Sequence, residues 1–168
     1  RKMAEKIIDI EAMTSEDCSF SVGVMNAGKW VNCVSSKASA EVLSMSKRQE
    51  DLDDGIARML EHNDPDGEVI TKVKLGLTRP VWTPSTAGLK LVELANDLAT
   101  QLGQPFRHES SGGGSDGNFT GAMGVPTLDG LGVAGDKYHT LEEHIEIDSL
   151  AMRGKMMAGL LMGIDQNF

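Results

Sequence analysis

The spacing of apolar residues switches between the helical and the strand period several times in residues 1–78, which limits what the chain can fold into. A 3.6-residue period predicts helices over residues 2–13 and 49–62. Alternation and short apolar runs between turn residues predict extended segments. These predicted segments are Phe20–Val24, Trp30–Val34, Ala38–Val42 and Val69–Leu77.

The resulting order is α-β-β-α-β, which is typical of an α+β layer with helices on one face of an antiparallel sheet. It matches the βαββαβ order of a ferredoxin-like unit whose first strand is missing. Because unpaired strand edges seek partners, we expect one sheet edge to be exposed or to pair with another chain.

Residues 79–168 follow a different pattern, and Arg79-Pro80 and Thr83-Pro84 mark the boundary. Helices alternate with short buried strands here, which predicts an α/β layer. The first predicted elements are a helix capped by Ser85 or Thr86 and running to about Leu102, and a strand near Phe106. A short helix from Ser115 to Gly124 and a strand at Val125–Leu128 follow. A flexible loop over residues 130–137 then leads to a helix from Leu150 to about Gly163.

Charge and cysteine usage exclude several classes of partner. The net charge of −9 argues against nucleic acid and against an anionic membrane surface, because both require a basic face. No apolar run approaches the roughly 20 residues that span a bilayer.

Cys18 and Cys33 lack metal or redox spacing, so we expect free thiols, with a strand-to-strand disulfide as the alternative. Free thiols favour a cytoplasmic location, although a chain that opens with Arg1 is expected to be part of something longer.

A glycine run at residues 112–114 is the most informative segment of the second region. Three consecutive glycines let the backbone approach a ligand closely, and Ser115-Asp116 then begins a helix whose N-terminus favours an anion such as a carboxylate. The alternative is a plain loop with a helix cap. No Gly-Lys-Ser/Thr sequence follows, so the segment is not a phosphate-binding loop.

A histidine, His139, follows at the end of a second glycine-containing loop, where it is poorly placed to be a core residue. Imidazole is a common zinc ligand, and it needs a neighbouring acceptor to fix its orientation. Glu142 and Glu143 are the nearest candidates for that acceptor, and solvated surface carboxylates are the alternative.

These segments together resemble the C-terminal signature of the zinc-dependent aminoacylase and carboxypeptidase family, most closely its glutamate carboxypeptidase branch. The matching motifs are Gly-Gly-Gly-Ser-Asp-Gly at 112–117, Gly124-Val125-Pro126-Thr127, Gly130-Leu131-Gly132, His139 and Glu143. A looser match covers Ala27 to Val34 and Ala38-Ser39-Ala40, which are similar to a segment of the family's lid.

The resemblance implies a two-zinc amide hydrolase with a small lid domain that makes a homodimer. Residues 1–78 are then a partial α+β lid, ferredoxin-like with its first strand missing. Residues 79–168 are the C-terminal half of an α/β zinc-peptidase catalytic domain. His139 matches the family's last metal ligand. The implied substrate contacts are Asn32, Gly113, Gly114 and Ser115.

Two departures from the family pattern change the expected chemistry. The strand that normally ends in Asp-x-Arg reads Met45-Ser46-Lys47, and a lysine cannot form the bidentate carboxylate clamp of an arginine. Lys47 remains a candidate carboxylate contact, and Arg79 is an alternative cation. The family's other metal ligands and its general base lie upstream and are absent, so no catalytic residue is expected in this chain.

The implied function is metal-dependent hydrolysis of an amide bond in an acyl-amino acid or small peptide with a free carboxylate. This chain would supply the lid and one metal ligand, and its zinc site would be incomplete or empty. Because a catalytic zinc usually has three protein ligands, we expect weak zinc binding and no amidase activity from the chain alone. The alternatives are a non-catalytic fragment, an association module or a ligand-binding protein.

Overall fold

A computed structural model of the chain describes residues 1–167, and side chains up to residue 164. Contacts divide the chain into two units, the first formed by residues 1–81 with 112–114 and the second by residues 82–111 with those from Ser115 onward. Whether these units act as a lid and a catalytic domain stays a prediction.

The first unit is an antiparallel hairpin with two helices packed on one face. Its elements are α1 (Lys2–Glu11), β1 (Cys18–Ala27), β2 (Ala38–Ser46) and α2 (Gln49–Leu60). The buried core consists of Ile10, Cys18 and Phe20. Gly55 lets α2 approach the sheet, since a β-carbon there would lie 2.6 Å from Cys18 Sγ. Both predicted helices of this unit form, and each ends about two residues earlier than predicted.

A β-bulge interrupts β1 at Gly23, between the pairs Val22–Val42 and Val24–Glu41. The extra residue reverses the alternation of side chains along the rest of the strand. Phe20 and Val22 face the helices, whereas Val24 is 43% exposed. The alternation predicted from the sequence therefore holds only up to the bulge.

Two strands predicted for the first unit do not form. Residues 30–34 are part of the loop that joins β1 to β2, with Cys33 N–H donating to the Trp30 carbonyl as in a turn. Residues 69–77 contribute only the isolated Asp64–Thr71 bridge. A strand exists only where a second strand receives its hydrogen bonds, and the described residues offer no such partner to this segment.

The second unit consists of helices and extended segments with one very short hairpin. Its elements are α3 (Thr86–Gln101), α4 (Gly117–Ala122), β3 (Gly135–Asp136), β4 (His144–Ile145) and α5 (Ser149–Asn167). The Ser85 hydroxyl accepts a hydrogen bond from Gly88 N–H at 3.1 Å, which confirms the predicted cap of α3. The core lies between α3 and α5, around Ala95, Ala99, Met156 and Leu160.

The strands predicted near Phe106 and at Val125–Leu128 are not formed in the described residues, and both stretches run without a ladder. In an α/β layer, neighbouring strands come from separate βα units, and these two stretches have no such neighbour here. The loop predicted over residues 130–137 has no helix or strand over residues 130–134, but β3 begins at Gly135 within it and pairs with β4.

Helix α5 carries apolar residues on more than one face, together with Arg153 and Lys155, and only part of its apolar surface is covered. Met156 is buried, whereas Met157 and Met162 are 40% and 76% exposed. No helix among residues 1–167 is long and apolar enough to cross a bilayer.

Candidate functional site

His139 lies on an exposed loop that the β3–β4 hairpin closes. Its backbone has a φ of 65°, and Lys137, two residues earlier, has a φ of 59°. Residues other than glycine rarely adopt this left-handed conformation, and such residues cluster at functional sites. The loop is tightly turned, because both the N–H and the hydroxyl of Thr140 donate to the Lys137 carbonyl. A buried structural role for His139 does not fit this exposure.

The two glutamates that follow His139 have different partners. Glu143 Oε2 accepts a hydrogen bond from the backbone N–H of His139 at 3.2 Å. The carboxylate of Glu142 instead forms an ion pair with Lys137 across the mouth of the loop. Neither carboxylate accepts from the imidazole ring of His139 in the described conformation. The support for His139 is therefore through its backbone.

The glycine loop divides between the two units, with Gly113 and Gly114 in the first and Ser115 in the second. Ser115 N–H donates to Asn118 Oδ1 at 2.9 Å, and Gly117 N–H donates to the Ser115 hydroxyl at 3.0 Å. These bonds use the N–H groups at the start of α4, which is only six residues long. The expected anion site at this helix N-terminus is thus not supported by the geometry.

Arg79 lies beside the glycine loop in the first unit. A β-carbon at Gly114 would lie 3.2 Å from Arg79 Cδ, so only glycine permits this close approach without displacement. Arg79 is half-buried, and its Nε is fully buried. An arginine held against an exposed glycine backbone is a suitable arrangement for a carboxylate, because both can donate hydrogen bonds to it.

Lys47 follows β2 directly, is exposed, and forms no ion pair with the described residues. Its neighbour Arg48 is not a substitute, because Arg48 Nε and Nη2 contact the two carboxylate oxygens of Asp51 at 2.6 and 2.8 Å. These hydrogen bonds lower the pKa of Asp51 and raise that of Arg48. Lys47 is the cation at this strand end that remains available to a ligand.

Asn32 lies on the long loop between β1 and β2 and is exposed. The apolar side chains around it are exposed as well, with Trp30 at 66%, Val31 at 107% and Val34 at 99%. Trp30 belongs to neither hydrophobic core of the described residues. Trp82, by contrast, packs directly against Gly121 in the second unit.

No complete metal centre is present in the part of the chain that the structure describes. Among residues 1–167 there is no group of three or more His, Cys, Asp or Glu side chains arranged to hold a metal. A single imidazole at His139 does not satisfy a zinc ion, which usually takes three or four protein ligands. The residues present therefore do not fit a metal on their own.

The second unit contains an apolar groove of about 330 Å³. It runs between α3, α5 and the extended residues 125–131, and Leu91, Leu128 and Leu161 are among its lining residues. His139 and Ser115 do not line it. The groove is an uncovered packing surface rather than a catalytic cleft.

An exposed histidine on a tight loop, a glycine loop and helices joined by extended segments are consistent with a partial α/β domain. The model of peptidase family M20/M25/M40 matches residues 3–163, nearly the whole chain. The chain belongs to this family of peptidases.

Two curated relatives support this assignment. Carboxypeptidase G2 from Pseudomonas sp. (strain RS-16) is 26% identical over 156 residues, which cover 89% of this chain and 37% of that protein. The uncharacterized protein YqjE from Bacillus subtilis (strain 168) is 34% identical over 74 residues, which cover 44% of this chain and 20% of that protein.

Two solved structures share the fold. Aminopeptidase PepT from Bacillus cereus matches with a TM-score of 0.63 and 22% identity over 98% of this chain and 45% of its own. A tripeptidase from Staphylococcus aureus matches with a TM-score of 0.60 and 23% identity over 95% of this chain and 43% of its own. The chain spans less than half the length of each of these relatives.

Proposed function

We propose that this chain is part of a metal-dependent peptidase or amidohydrolase that cleaves an amide bond in a small peptide or acyl-amino acid with a free carboxylate. The observation that carries the proposal is His139, an exposed imidazole held in a left-handed turn within a chain of the M20/M25/M40 family. Peptidases of this family generally depend on a metal, and we infer that the metal here is zinc.

In this proposal His139 contributes one ligand, and the remaining ligands and the general base come from the part of the peptidase outside this chain. Three features support that division. The described residues form no metal cluster, the chain spans less than half of its relatives, and α5 and the apolar groove have uncovered surface. A metal in such a centre would polarise the amide carbonyl and activate a water.

Recognition of the substrate carboxylate is assigned to the cations and the glycine loop. Arg79 with Gly113 and Gly114 forms one candidate contact, and Lys47 forms another. Asn32, on the exposed loop between β1 and β2, is proposed to hydrogen-bond the substrate. For Ser115 the bonds to Asn118 and Gly117 favour a role in shaping the loop, with direct contact only if the Asn118 bond opens.

The two units are proposed to have the roles of lid and catalytic portion. Residues 1–78 form the lid, a ferredoxin-like unit without its first strand, and residues 79–168 form the C-terminal portion of the catalytic domain. The open edge of β2 and the part of β1 beyond Val22 support a role of the lid in homodimer formation, because such edges accept further strands.

A zinc titration and a hydrolysis assay test this proposal. The isolated chain is expected to bind zinc weakly and to leave an acyl-glutamate intact, whereas the peptidase completed with its remaining portion should bind zinc and hydrolyse it. His139→Ala in the complete peptidase should abolish most activity and weaken zinc binding, because one ion loses a protein ligand. His144→Ala, five residues away on β4, is the matched control and should retain both. Chelator-sensitive amidase activity from the isolated chain would overturn the assignment.

The second candidate function is a non-catalytic association module. It is favoured by the absence of a metal cluster within residues 1–167 and by the exposed apolar loop at Trp30, Val31 and Val34. The same assays separate the two functions, because an association module predicts that the completed protein neither retains zinc nor hydrolyses the acyl-glutamate.

A further inference from the structure

Residues 73–81 form a segment without turns or helical residues that is fastened to both ends of α2. The Val73 N–H donates to Asn63 Oδ1 at 2.8 Å, just beyond the last residue of α2. The Val81 N–H donates to Gln49 Oε1 at 2.9 Å, at the first residue of that helix. The segment therefore runs back along α2, from its end to its start.

This path gives residues 73–81 the same direction as β2. Two residues join β2 to α2, and α2 packs on β2, so the helix runs back along the strand. A segment that reverses the direction of α2 is then parallel to β2. The three stretches form a β-α-β arrangement, in which a helix connects two parallel extended segments.

The extended segment has one occupied edge and one open edge. Thr71 exchanges two backbone hydrogen bonds with residue 64, and the Val73 N–H is bonded to residue 63, so both direct their N–H groups toward the end of α2. Successive residues of an extended chain direct their backbone groups to opposite sides. The open side has no hydrogen-bond partner among the described residues. It belongs to Lys72, Lys74 and Gly76.

The outer edge of β2 is open as well. β2 pairs with β1 on one side, and no ladder joins it to residues 72–77 in the described part of the chain. In a split β-α-β unit, the two parallel strands leave a position for one further strand between them. A single strand at that position would form hydrogen bonds with β2 on one side and with residues 72–77 on the other.

We propose that an extended segment from the part of the peptidase outside this chain inserts between β2 and residues 72–77 and pairs with both. The inference rests on the proposed function, because it takes that further part of the peptidase to exist. The chain covers 37% of one relative and 45% of another, which leaves ample sequence to supply the segment.

A second copy of the chain does not fit this position. A strand with neighbours on both sides needs two free edges, whereas each strand of the described residues already has a partner, β1 with β2 and β3 with β4. Residues 72–77 belong to a segment with one edge engaged at the end of α2. The part of β1 beyond Val22 stays available to a second copy, so strand insertion and homodimer formation use different edges of the first unit.

The exposure of the extended segment indicates which side chains the inserted segment carries. Val73 is half-buried, whereas Leu75 and Leu77, at the same strand spacing, are 60% and 75% exposed. Cross-strand neighbours on one face of a sheet cover such side chains. The inserted segment is therefore expected to be apolar at every second position, opposite Leu75 and Leu77.

The first experiment measures hydrogen exchange of single backbone amides in the isolated chain, kept dilute enough to be monomeric, and in the complete peptidase. The Lys74 and Gly76 amides should exchange freely in the isolated chain. In the complete peptidase they should exchange at least about 100-fold more slowly, because the inserted strand supplies their acceptors. The Val73 amide is the internal reference, since Asn63 accepts its hydrogen bond in both proteins.

The second experiment uses Lys74→Pro, which removes one N–H from the open edge. In the complete peptidase this variant should accelerate exchange of the Gly76 amide about tenfold, because the ladder is interrupted beside it. In the isolated chain it should leave that exchange rate unchanged. Lys74→Ala is the matched control, because it removes the side chain but keeps the N–H, and it should leave Gly76 protected in the complete peptidase.

Free exchange of Lys74 and Gly76 in the complete peptidase would overturn the insertion. Protection that disappears on dilution of the complete peptidase to the monomer would also overturn it, because the occupant would then be a second copy. Exchange does not depend on turnover, so the proposed function is tested separately. A complete protein that protects both amides but neither retains zinc nor hydrolyses the acyl-glutamate would refute the proposed function and support the strand insertion.

Discussion

At His139 the β-carbon is crowded against the following carbonyl oxygen, because a left-handed backbone brings these two atoms together. This conformation costs an L-residue roughly 1–2 kcal/mol, and the loop maintains it through the bonds to Glu143 and Lys137. Because His139 is exposed, its unfavourable backbone conformation is not offset by packing of its side chain. The conformation is therefore consistent with a requirement of function.

The first prediction concerns the strain at this position. His139→Gly should raise the free energy of unfolding of the chain by about 0.5 kcal/mol, since glycine adopts this φ without a steric penalty but has more freedom when unfolded. His139→Ala should have almost no effect, because alanine keeps the β-carbon. Urea denaturation measures both.

Leu141→Gly is the control for this prediction. Leu141 is fully exposed in the same loop and does not have a positive φ, so glycine there should destabilise the chain. If His139→Gly destabilises the chain as much as Leu141→Gly does, the strain at His139 has been misjudged.

The sequence identified His139 but not how it is held. The histidine stands out because it follows a glycine-containing loop and precedes two acids. The left-handed backbone at Lys137 and His139 has no local signal, since neither residue is glycine or asparagine. Nor does the sequence indicate whether Glu142 or Glu143 accepts the hydrogen bond from His139 N–H, because that depends on the path of a seven-residue turn.

At the scale of single elements, the helices were predictable and most strands were not. A helix satisfies its own backbone, so the spacing of apolar residues and the Ser85 cap determine α3 locally. A strand takes its hydrogen bonds from a neighbour. Residues 69–77 and 125–128 have the composition of strands, but no neighbour in the described chain pairs with them.

The second prediction tests the packing of α2 on the sheet. Gly55→Ala should lower the free energy of unfolding by roughly 1–3 kcal/mol, because the new methyl group would meet the buried Cys18 sulfur and the Phe20 ring. Gly154→Ala in α5 is the matched control. Nothing lies within 4 Å of its β-carbon position, so the higher helix propensity of alanine should stabilise by up to about 1 kcal/mol.

Thermal unfolding of both variants provides the measurement. If Gly55→Ala is stabilised as much as Gly154→Ala, then α2 does not pack on β1 as closely as described.

The third prediction concerns pH and the start of α2. The pKa of Asp51 is lowered chiefly by hydrogen bonds from Arg48. A carboxyl whose pKa is lower in the folded state stabilises the fold above its unfolded pKa and loses that contribution as pH falls through the folded value. When the pH is lowered from 6 to the ordinary carboxyl pKa of about 3.9 or below, the melting temperature of Asp51→Asn should therefore fall less than that of the wild type.

Two controls separate this pair from general acid effects. Arg48→Lys keeps the charge but loses the two-point contact, so its pH dependence should lie between wild type and Asp51→Asn. Added salt should reduce the difference between variants, because Arg48 is exposed. An Asp51→Asn curve parallel to wild type at every pH would contradict the assignment.

At the scale of the whole molecule, much apolar surface is left without a partner. The exposed residues include Leu75 and Leu77 in the unpaired extended segment and Leu161 and Met162 on α5. Apolar residues at strand spacing, or on more than one face of a helix, are normally covered. The sequence showed these residues to be apolar, but it did not show that they would be exposed.

The fourth prediction is that the isolated chain associates. Its apparent mass by sedimentation should rise with concentration, because the open edge of β2 and the extended residues 72–77, which form no ladder in the described chain, can pair between molecules. The double substitution Leu75→Lys with Leu77→Lys should reduce association. Leu141→Lys, at a fully exposed position in the second unit, should not. A chain that stays monomeric at millimolar concentration would contradict this expectation.

The bulge at Gly23 limits how another strand can pair with the edge of β1. Open strand edges are templates on which identical chains can stack into fibrils, and a regular edge offers every second amide and carbonyl in one straight row. In β1 the additional residue breaks that row after Val22, and the strand twists more strongly beyond it. Before the bulge, the outer edge of β1 is already hydrogen-bonded by Thr14, Ser15 and Glu11, so an incoming strand can pair only with the part of β1 beyond Val22. The interruption would slow amyloid growth along this edge and still leave the edge open to a partner shaped to follow the bend.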